Sequence, residues 1–128
     1  MRVSLGHLYI DEVEGKGRGV HSYESFSIGD IIEVCPMLVL GKDDRPHIES
    51  TFLYNYFFEW GENSEYTAIA LGYGSIYNHA AQANAQYEMD FKAKTLTIFC
   101  VRPIRAGEEI TINYNGEIDN TDKVWFEL

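Results

Sequence analysis

The sequence predicts one domain with a mainly β fold. Short apolar or alternating runs follow one another along the 128 residues, and turns containing Gly or Asp separate them. Only one segment has both the composition and the boundary signals of a helix. Nine Tyr and seven Phe suit either β-strands or a pocket with aromatic walls. Many short strands with few helices are typical of a small β-rich domain.

The strands follow from these apolar runs. Pro36 interrupts the run 31–40, so we expect two strand pieces there. Two later runs flank Lys92-Ala93-Lys94, which predicts a hairpin. The expected strands, in chain order, are 8–10, 31–40, 66–71, 86–91, 95–102 and 109–114.

Residues 49–60 are the best helix candidate. A polar loop, 41–46, precedes them, Ser50 or Thr51 is a suitable N-cap, and Gly61 is a stop signal. The segment carries six aromatic residues, a high density for a helix. The alternative is that part of it is extended.

The charge limits the partners of the protein. The formal net charge is −10, with 20 acidic and 10 basic side chains. A general nucleic-acid binder needs a basic face, so direct nucleic-acid binding is disfavoured. An acidic surface favours association with a basic protein or peptide through electrostatic steering. The alternative is that the acidity only maintains solubility.

Cysteine content and hydropathy indicate the compartment. Cys35 and Cys100 lie in apolar runs without metal-ligand spacing, so we expect buried free thiols. We see no signal peptide and no apolar run of the ~20 residues that a membrane span needs. We therefore expect a soluble, intracellular and cytoplasmic protein with no membrane association.

Three stretches carry the functional signal. Residues 15–20 read Gly-Lys-Gly-Arg-Gly-Val, residues 78–84 read Asn-His-Ala-Ala-Gln-Ala-Asn, and residues 107–114 read Gly-Glu-Glu-Ile-Thr-Ile-Asn-Tyr. Each stretch alone has a structural explanation: a hairpin turn, a buried turn with a satisfied histidine, and a core strand. Their order and spacing require a common explanation.

Together these stretches resemble the motifs of the SET-domain protein lysine methyltransferases, G-x-G-x-G-V, N-H-S-x-x-P-N and G-E-E-L-T-x-x-Y. Residues 70–79 are especially similar to compact SET-only proteins of bacteria and large viruses. The resemblance implies a SET-domain (β-clip) fold of several small sheets and short helices. It also implies a C-terminal pseudoknot-like threading that brings 78–79 beside 109–114. We expect a single domain over 1–128, with a core of about 8–114 and a short tail, 115–128.

The same resemblance implies a function and a cofactor. We expect methyl transfer from S-adenosylmethionine to the side-chain amine of a lysine in a protein. Tyr114 is the implied catalytic residue, and its ionisation state next to a cationic sulfonium is open. Tyr56 and, more weakly, Trp125 are the implied walls of the substrate lysine channel, where an aromatic wall suits an alkyl-ammonium group. For Tyr114, the alternative is a tyrosine packed in a core strand. For Tyr56, it is an aromatic residue packed in a helix. The residues implied to bind the cofactor are Lys16, Gly17, Arg18, Asn78 and His79.

Departures from the family pattern shape the remaining expectations. Ser75, Ala80 and Ala83 replace the family's Arg, Ser and Pro. They leave open an alternative function, a non-catalytic SET-like module that binds basic or methylated peptides. Ala81 stands where zinc-binding members carry Cys, and there is no Cys-x-Cys tail, so no metal is expected. Expected substrates are histone-like, ribosomal or other Lys-rich proteins, and a homodimer is one way to complete the substrate cleft.

Overall fold

The computed structural model describes residues 2–116, Thr121 and Val124. In chain order, its strands are β1 (Val3–Leu5), β2 (Leu8–Val13), β3 (Gly17–Ser22), β4 (Ile31–Leu40), β5 (Phe57–Trp60), β6 (Tyr66–Ala70), β7 (Asn78–His79), β8 (Ala85–Asp90), β9 (Thr95–Cys100) and β10 (Glu109–Ile112). The helices between β4 and β5 are a 3-10 turn (Lys42–Asp44), α1 (Arg45–Glu49) and a second 3-10 turn (Phe52–Asn55).

The strands form two five-stranded sheets. The first has the order β1-β2-β3-β10-β7, and the second has the order β5-β6-β4-β9-β8. One hydrophobic core takes side chains from both sheets. The mainly β fold predicted from the sequence is confirmed. Among the described residues, no helix is both long and apolar enough to cross a membrane.

The hairpin of β8 and β9 shows the pattern by which the sequence predicts strands. Leu96, Ile98 and Cys100 are buried, and the residues between them are less so. This alternation is the two-residue period of a strand with one face in the core. Six residue pairs join β8 to β9, and Lys94 takes a positive φ of 56° in the turn. The predicted hairpin is confirmed.

Strand β4 differs from its prediction, because it is one strand of ten residues and not two pieces. Its first part pairs with β9 and ends at Pro36, and its second part pairs with β6 from Met37 onward. Pro36 lacks an N–H, and the exchange of partners at this point accommodates that loss. A register shift between Ile31 and Glu33 marks a bulge near the start of the strand.

The helix predicted over 49–60 is wrong in its placement. The α-helix ends at Glu49, and Pro46 lies in its first turn, a position that favours the start of a helix. Thr51 caps the second 3-10 turn by accepting a hydrogen bond from the Leu53 N–H at 3.2 Å. The aromatic end of the segment, Phe57–Trp60, is a strand and pairs with β6. Its β-prone residues gain more from this pairing than from a helix.

Strand β10 lies in the interior of the first sheet. It pairs antiparallel with β3 on one side and parallel with β7 on the other. Ile110 and Ile112 are fully buried, as expected for a strand with neighbours on both sides. The C-terminal segment therefore passes beside the 78–84 stretch, which is the juxtaposition that the resemblance implies.

Candidate active site

Two of the three motif stretches meet in the parallel pair of β7 and β10. Asn78 is opposite Thr111, and His79 is opposite Ile112. The Ala80 N–H donates to the Ile112 carbonyl at 3.0 Å and extends the pairing beyond the strands. The pair places the Asn-His dipeptide alongside the strand that leads to Tyr114. The juxtaposition predicted from the sequence is present in the fold.

Asn84 holds β10 through its side chain. Its Nδ2 donates to the Glu109 carbonyl at 2.9 Å, and its Oδ1 accepts from the Thr111 N–H at 2.9 Å. An amide group can donate and accept together, so it replaces a neighbouring strand at this point of the sheet. No role was predicted for Asn84, although it closes the 78–84 motif.

The orientation of the Asn78 amide is fixed by two acceptors. Its Nδ2 donates to the Arg18 carbonyl at 2.9 Å and to Glu109 Oε2 at 2.7 Å. Both acceptors are oxygens, so the nitrogen must face them, and both of its hydrogens are committed. The oxygen Oδ1 is left as the group that Asn78 can offer to a ligand donor. Asn78 thereby joins β3, β7 and β10 at one point.

Glu109 is the charged centre of this junction. Its Oε1 lies 3.2 Å from Lys16 Nζ, and only 17% of its side chain is exposed. Gly19 makes room for it, because a Cβ there would lie 2.5 Å from Glu109 Oε2 and 3.0 Å from Asn78 Nδ2. A third motif residue, Lys16, is thus connected to the other two stretches. The sequence analysis assigned Glu109 no role of its own, although it lies in the 107–114 motif and begins the predicted strand 109–114.

His79 contacts the segment that follows β10. Its Nδ1 accepts a hydrogen bond from the Tyr114 N–H at 3.0 Å, and the two rings lie 5.2 Å apart between centroids. A nitrogen that accepts carries no proton, so the neutral ring has its hydrogen on Nε2. His79 therefore fixes the backbone of Tyr114 in addition to packing against its ring.

The phenol of Tyr114 is held from the other side by the preceding stretch. Its hydroxyl donates to the Tyr77 carbonyl at 2.7 Å. Burial first, and then the nearby Tyr56 and Glu109, raise the pKa of Tyr114 to about 12. The phenol is therefore protonated at neutral pH, and its one hydrogen is directed at Tyr77.

A cavity of about 510 Å³ opens beside Tyr114. This volume is in the ordinary range for ligand sites, about 300–1,000 Å³. Its lining includes Tyr56, Tyr77 and Tyr114, and its charged lining residues in the described part of the chain are Glu49 and Glu59. The cavity can thus receive an elongated apolar group that carries a positive charge.

Comparison with known families identifies the fold. Residues 17–115 match the sequence model of the SET domain, and they make up most of the chain. This chain belongs to the SET-domain family. The match includes the stretches 78–84 and 107–114 in full and the stretch 15–20 from Gly17 onward.

Relatives of this SET domain are histone-lysine N-methyltransferases. An H3 lysine-37 specific enzyme of Schizosaccharomyces pombe is 32% identical over 121 residues, which cover 94% of this chain and 77% of that protein. The SUV39H1 enzyme of Xenopus laevis is 35% identical over 123 residues, covering 85% of this chain but only 29% of that protein.

Solved structures show the same SET fold. A Plasmodium falciparum protein assigned as a histone methyltransferase superposes with a TM-score of 0.70 at 25% identity, covering 94% of this chain and 96% of that one. An autoinhibited Polycomb Repressive Complex 2 of Chaetomium thermophilum, bound to S-adenosylmethionine, has a TM-score of 0.69 at 20% identity and covers 88% of this chain and 15% of that one. At this identity, the second likeness concerns the fold alone.

The SET residues predicted from the sequence fall into two groups in space. Tyr56 and Tyr114 line the cavity. Lys16 and Asn78 instead meet at Glu109, and His79 contacts Tyr114; all three are absent from the described lining of the cavity. Gly17 opens β3 with a φ of 81°, and Arg18 contributes its carbonyl to Asn78. Trp125 lies outside the described residues, as do most of the residues after 116.

The described residues contain no group of three or more His, Cys, Asp or Glu side chains arranged to hold a metal ion. Both cysteines are buried free thiols, as predicted. Burial is the main cause that raises the pKa of the Cys35 and Cys100 thiols, which keeps them protonated. Neither cysteine has the microenvironment of a nucleophile.

Proposed function

We propose that this protein transfers the methyl group of S-adenosylmethionine to the side-chain amine of a lysine in a basic, histone-like protein. One observation carries the proposal: Tyr114 lines the cavity, and His79 of the Asn-His motif accepts a hydrogen bond from its backbone N–H. A single tyrosine thereby connects the cofactor-binding motif to a cavity that suits an alkyl-ammonium chain. Membership of the SET family supports the same activity.

The Asn78 junction fits the amino acid end of the cofactor. With both Nδ2 hydrogens committed to Arg18 and Glu109, the Oδ1 of Asn78 is an acceptor suited to an ammonium group. At Gly17, no described atom beyond its chain neighbours would lie within 4 Å of a Cβ, so the backbone there is open to a ligand. We assign Gly17, Arg18 and Asn78 to cofactor binding on these grounds, and Lys16 and His79 on the resemblance to the SET motifs.

The residues of the chain supply orientation more than acid–base chemistry. The cofactor provides a methyl group on a cationic sulfur, and transfer forms a nitrogen–carbon bond while the sulfur–carbon pair returns to sulfur. Because Tyr114 gives its hydrogen to Tyr77, it meets a substrate amine as a hydrogen-bond acceptor. The amine then points an N–H at the phenol, and its lone pair is left to face the methyl carbon. This orientation favours attack in line with the sulfur–carbon bond that breaks.

The substrate lysine must lose a proton before it can attack. Its reference pKa is ~10.4, and apolar walls lower it by disfavouring the charged form. Tyr56, Tyr87 and Met89 provide such walls. Because Tyr114 has a raised pKa of about 12 and directs its hydrogen at Tyr77, we do not assign it as the proton acceptor. We assign Tyr56 to the wall of the channel that receives the substrate lysine. We assign Trp125, in the C-terminal tail, to closing the same channel.

The charge of the protein indicates a basic substrate. The described charges of the cavity wall are both carboxylates, on Glu49 and Glu59, and the whole chain carries a net charge of −10. Opposite charge steers a Lys-rich segment to the cavity and disfavours nucleic acid. The named relatives are histone-lysine N-methyltransferases, so histones are the first substrates to test.

We further propose one SET domain over 1–128, with a core of about 8–114 and 115–128 as a tail in place of a zinc-bound segment. The family match over 17–115 supports a SET core within this span. We also propose a homodimer in which the partner subunit completes the substrate cleft. The proposed location is the cytoplasm. Sedimentation of the purified chain tests the dimer: a concentration-dependent doubling of mass supports it, and a monomer at all concentrations refutes it.

The function is tested by incubating the purified protein with labelled S-adenosylmethionine and histones. We expect label on a lysine side chain. Cofactor binding without transfer to any of a panel of basic proteins would instead favour a non-catalytic SET-like module. Loss of cofactor binding altogether would contradict both the activity and the assignment of the Asn78 junction.

A further inference from the structure

Glu33 connects β4 to the stretch that precedes the Asn-His motif. Its Oε1 accepts a hydrogen bond from the Tyr77 hydroxyl at 2.7 Å, and its Oε2 accepts from the Tyr73 N–H at 2.9 Å. Both donors come from a segment some 40 residues away in sequence. Neither Glu33 nor Tyr77 belongs to a motif that the sequence analysis singled out as catalytic.

Tyr77 is the link between Glu33 and Tyr114. Its side chain is buried, with a relative exposure of 1%, and its hydroxyl reaches Glu33. Its carbonyl accepts the phenol hydrogen of Tyr114 at 2.7 Å. A buried hydroxyl without an acceptor is unfavourable, so the Glu33 bond determines where the Tyr77 ring lies. The ring, in turn, restricts the rotation of the peptide that carries the carbonyl.

The local backbone is shaped around the Glu33 carboxylate. Gly72 has a φ of 66°, and a Cβ there would overlap with the carboxylate. At Gly74, a Cβ would lie 2.8 Å from the sulfur of Cys35, two residues beyond Glu33 on the same strand. Successive side chains alternate along a strand, so Glu33 and Cys35 share the face of β4 on which the 72–77 stretch packs. Two glycines therefore permit the close approach that the hydrogen bonds need.

We propose that Glu33 and the Tyr77 hydroxyl are positioning groups for methyl transfer, acting through the Tyr77 carbonyl on the phenol of Tyr114. This inference rests on the proposed function. The carbonyl takes up the one hydrogen of Tyr114 and so makes the phenol an acceptor toward the substrate amine. Displacement of the carbonyl frees that hydrogen, and the phenol then presents a donor to the nitrogen lone pair that must attack.

The central test is Tyr77→Phe, which removes one oxygen atom and keeps the buried ring. We expect kcat for methyl transfer to fall about 10-fold, with the cofactor dissociation constant within about 2-fold of wild type, because misplaced reacting groups slow the step more than they weaken binding. Tyr73→Phe is the matched control. It removes another buried hydroxyl of the same stretch, bonded to the Val3 carbonyl at 3.2 Å, and leaves the backbone N–H that binds Glu33. We expect its kcat to match wild type.

A second measurement does not depend on activity. With tyrosine labelled at 13Cζ, the Tyr114 resonance, identified by its loss in Tyr114→Phe, reports the hydrogen bond of the phenol. We expect this resonance to shift in Tyr77→Phe and to stay in place in Tyr73→Phe. A purely structural role for Tyr77 lowers the melting temperature without moving the Tyr114 resonance.

The outcomes separate this inference from the proposed function. An inactive wild type contradicts the proposed function. The Tyr114 resonance still tests whether Glu33 and Tyr77 position the Tyr114 phenol. An active wild type with an equally active Tyr77→Phe and an unmoved Tyr114 resonance overturns the inference. Equal loss of kcat in Tyr77→Phe and Tyr73→Phe also overturns it, because a general loss of packing then explains the effect.

Discussion

The phenol of Tyr114 donates a 2.7 Å hydrogen bond to the carbonyl of Tyr77, a residue 37 positions earlier in the chain. The bond crosses from the end of β10 to the residue just before β7, the two strands that carry the last two motifs. This one hydrogen bond joins the two motif segments and also orients the proposed catalytic phenol. Tyr114 is therefore the first residue to substitute.

Tyr114→Phe removes the phenol oxygen and keeps the ring in the cavity. We expect kcat to fall about 100-fold, a common effect of losing one polar group that contacts the reacting atoms. Cofactor affinity, measured by isothermal titration calorimetry, should stay within about 2-fold, because Phe keeps both the ring beside His79 and the backbone N–H that His79 accepts. A variant that keeps wild-type kcat would remove Tyr114 from the chemistry.

Asn78→Ala tests the cofactor site. The substitution removes the Oδ1 acceptor and leaves Glu109 Oε2 without the Asn78 donor at 2.7 Å. We expect the dissociation constant for S-adenosylmethionine to rise at least 10-fold, which corresponds to about 1.4 kcal/mol. Asn63→Ala, at an exposed position in the loop after β5, is the control. Unchanged binding in both variants would place the cofactor elsewhere.

Asn84→Ala tests the amide that holds β10. It deletes two hydrogen bonds, to the Glu109 carbonyl and from the Thr111 N–H, and leaves both backbone groups unpaired. We expect the free energy of unfolding to fall by about 2–4 kcal/mol in urea denaturation, at about 1–2 kcal/mol for each group. A loss below about 0.5 kcal/mol would show that water replaces the amide without cost.

The raised pKa of Tyr114 predicts a loss of stability at alkaline pH. Its pKa is about 12 in the folded chain, against the ordinary value of 10.0. The folded state keeps this proton when the unfolded state has lost it, so its contribution is complete below pH ~10 and declines as the pH rises to ~12. Other buried tyrosines titrate there too, so the contrast with Tyr114→Phe isolates one group.

We expect wild type to lose about 1 kcal/mol more than Tyr114→Phe between pH 9 and pH 11, as measured by urea unfolding at each pH. Equal losses in the two proteins would mean that the phenol is less buried than its position in the fold indicates.

The elements with strong local patterns could be predicted from the sequence. Residues 95–100 alternate between core and surface, and the prediction of β9 needed nothing more than that period. The segment 49–60 could not be placed by local rules, because its aromatic end gains its stability from pairing with β6. Tertiary pairing overrode the helix signals of Thr51 and Gly61.

The residues of the candidate site that belong to family motifs could be predicted from the sequence. Asn78, His79 and Tyr114 were identified because their order and spacing resemble the SET pattern. Glu109 was not, because its significance depends on Lys16, 93 residues away, and on Asn78. Glu33 was missed for the same reason, since its partner Tyr77 is 44 residues distant. Contacts over such separations are set by tertiary packing and not by any local pattern.

The central claim is lysine methylation, and one measurement tests it most directly. The purified protein is incubated with methyl-labelled S-adenosylmethionine and recombinant histones, and mass spectrometry then locates the label. The account predicts label on a lysine ε-nitrogen in wild type and a reduction of about 100-fold in Tyr114→Phe. A wild-type protein that binds the cofactor yet labels no lysine in histones or in a whole-cell extract would contradict it.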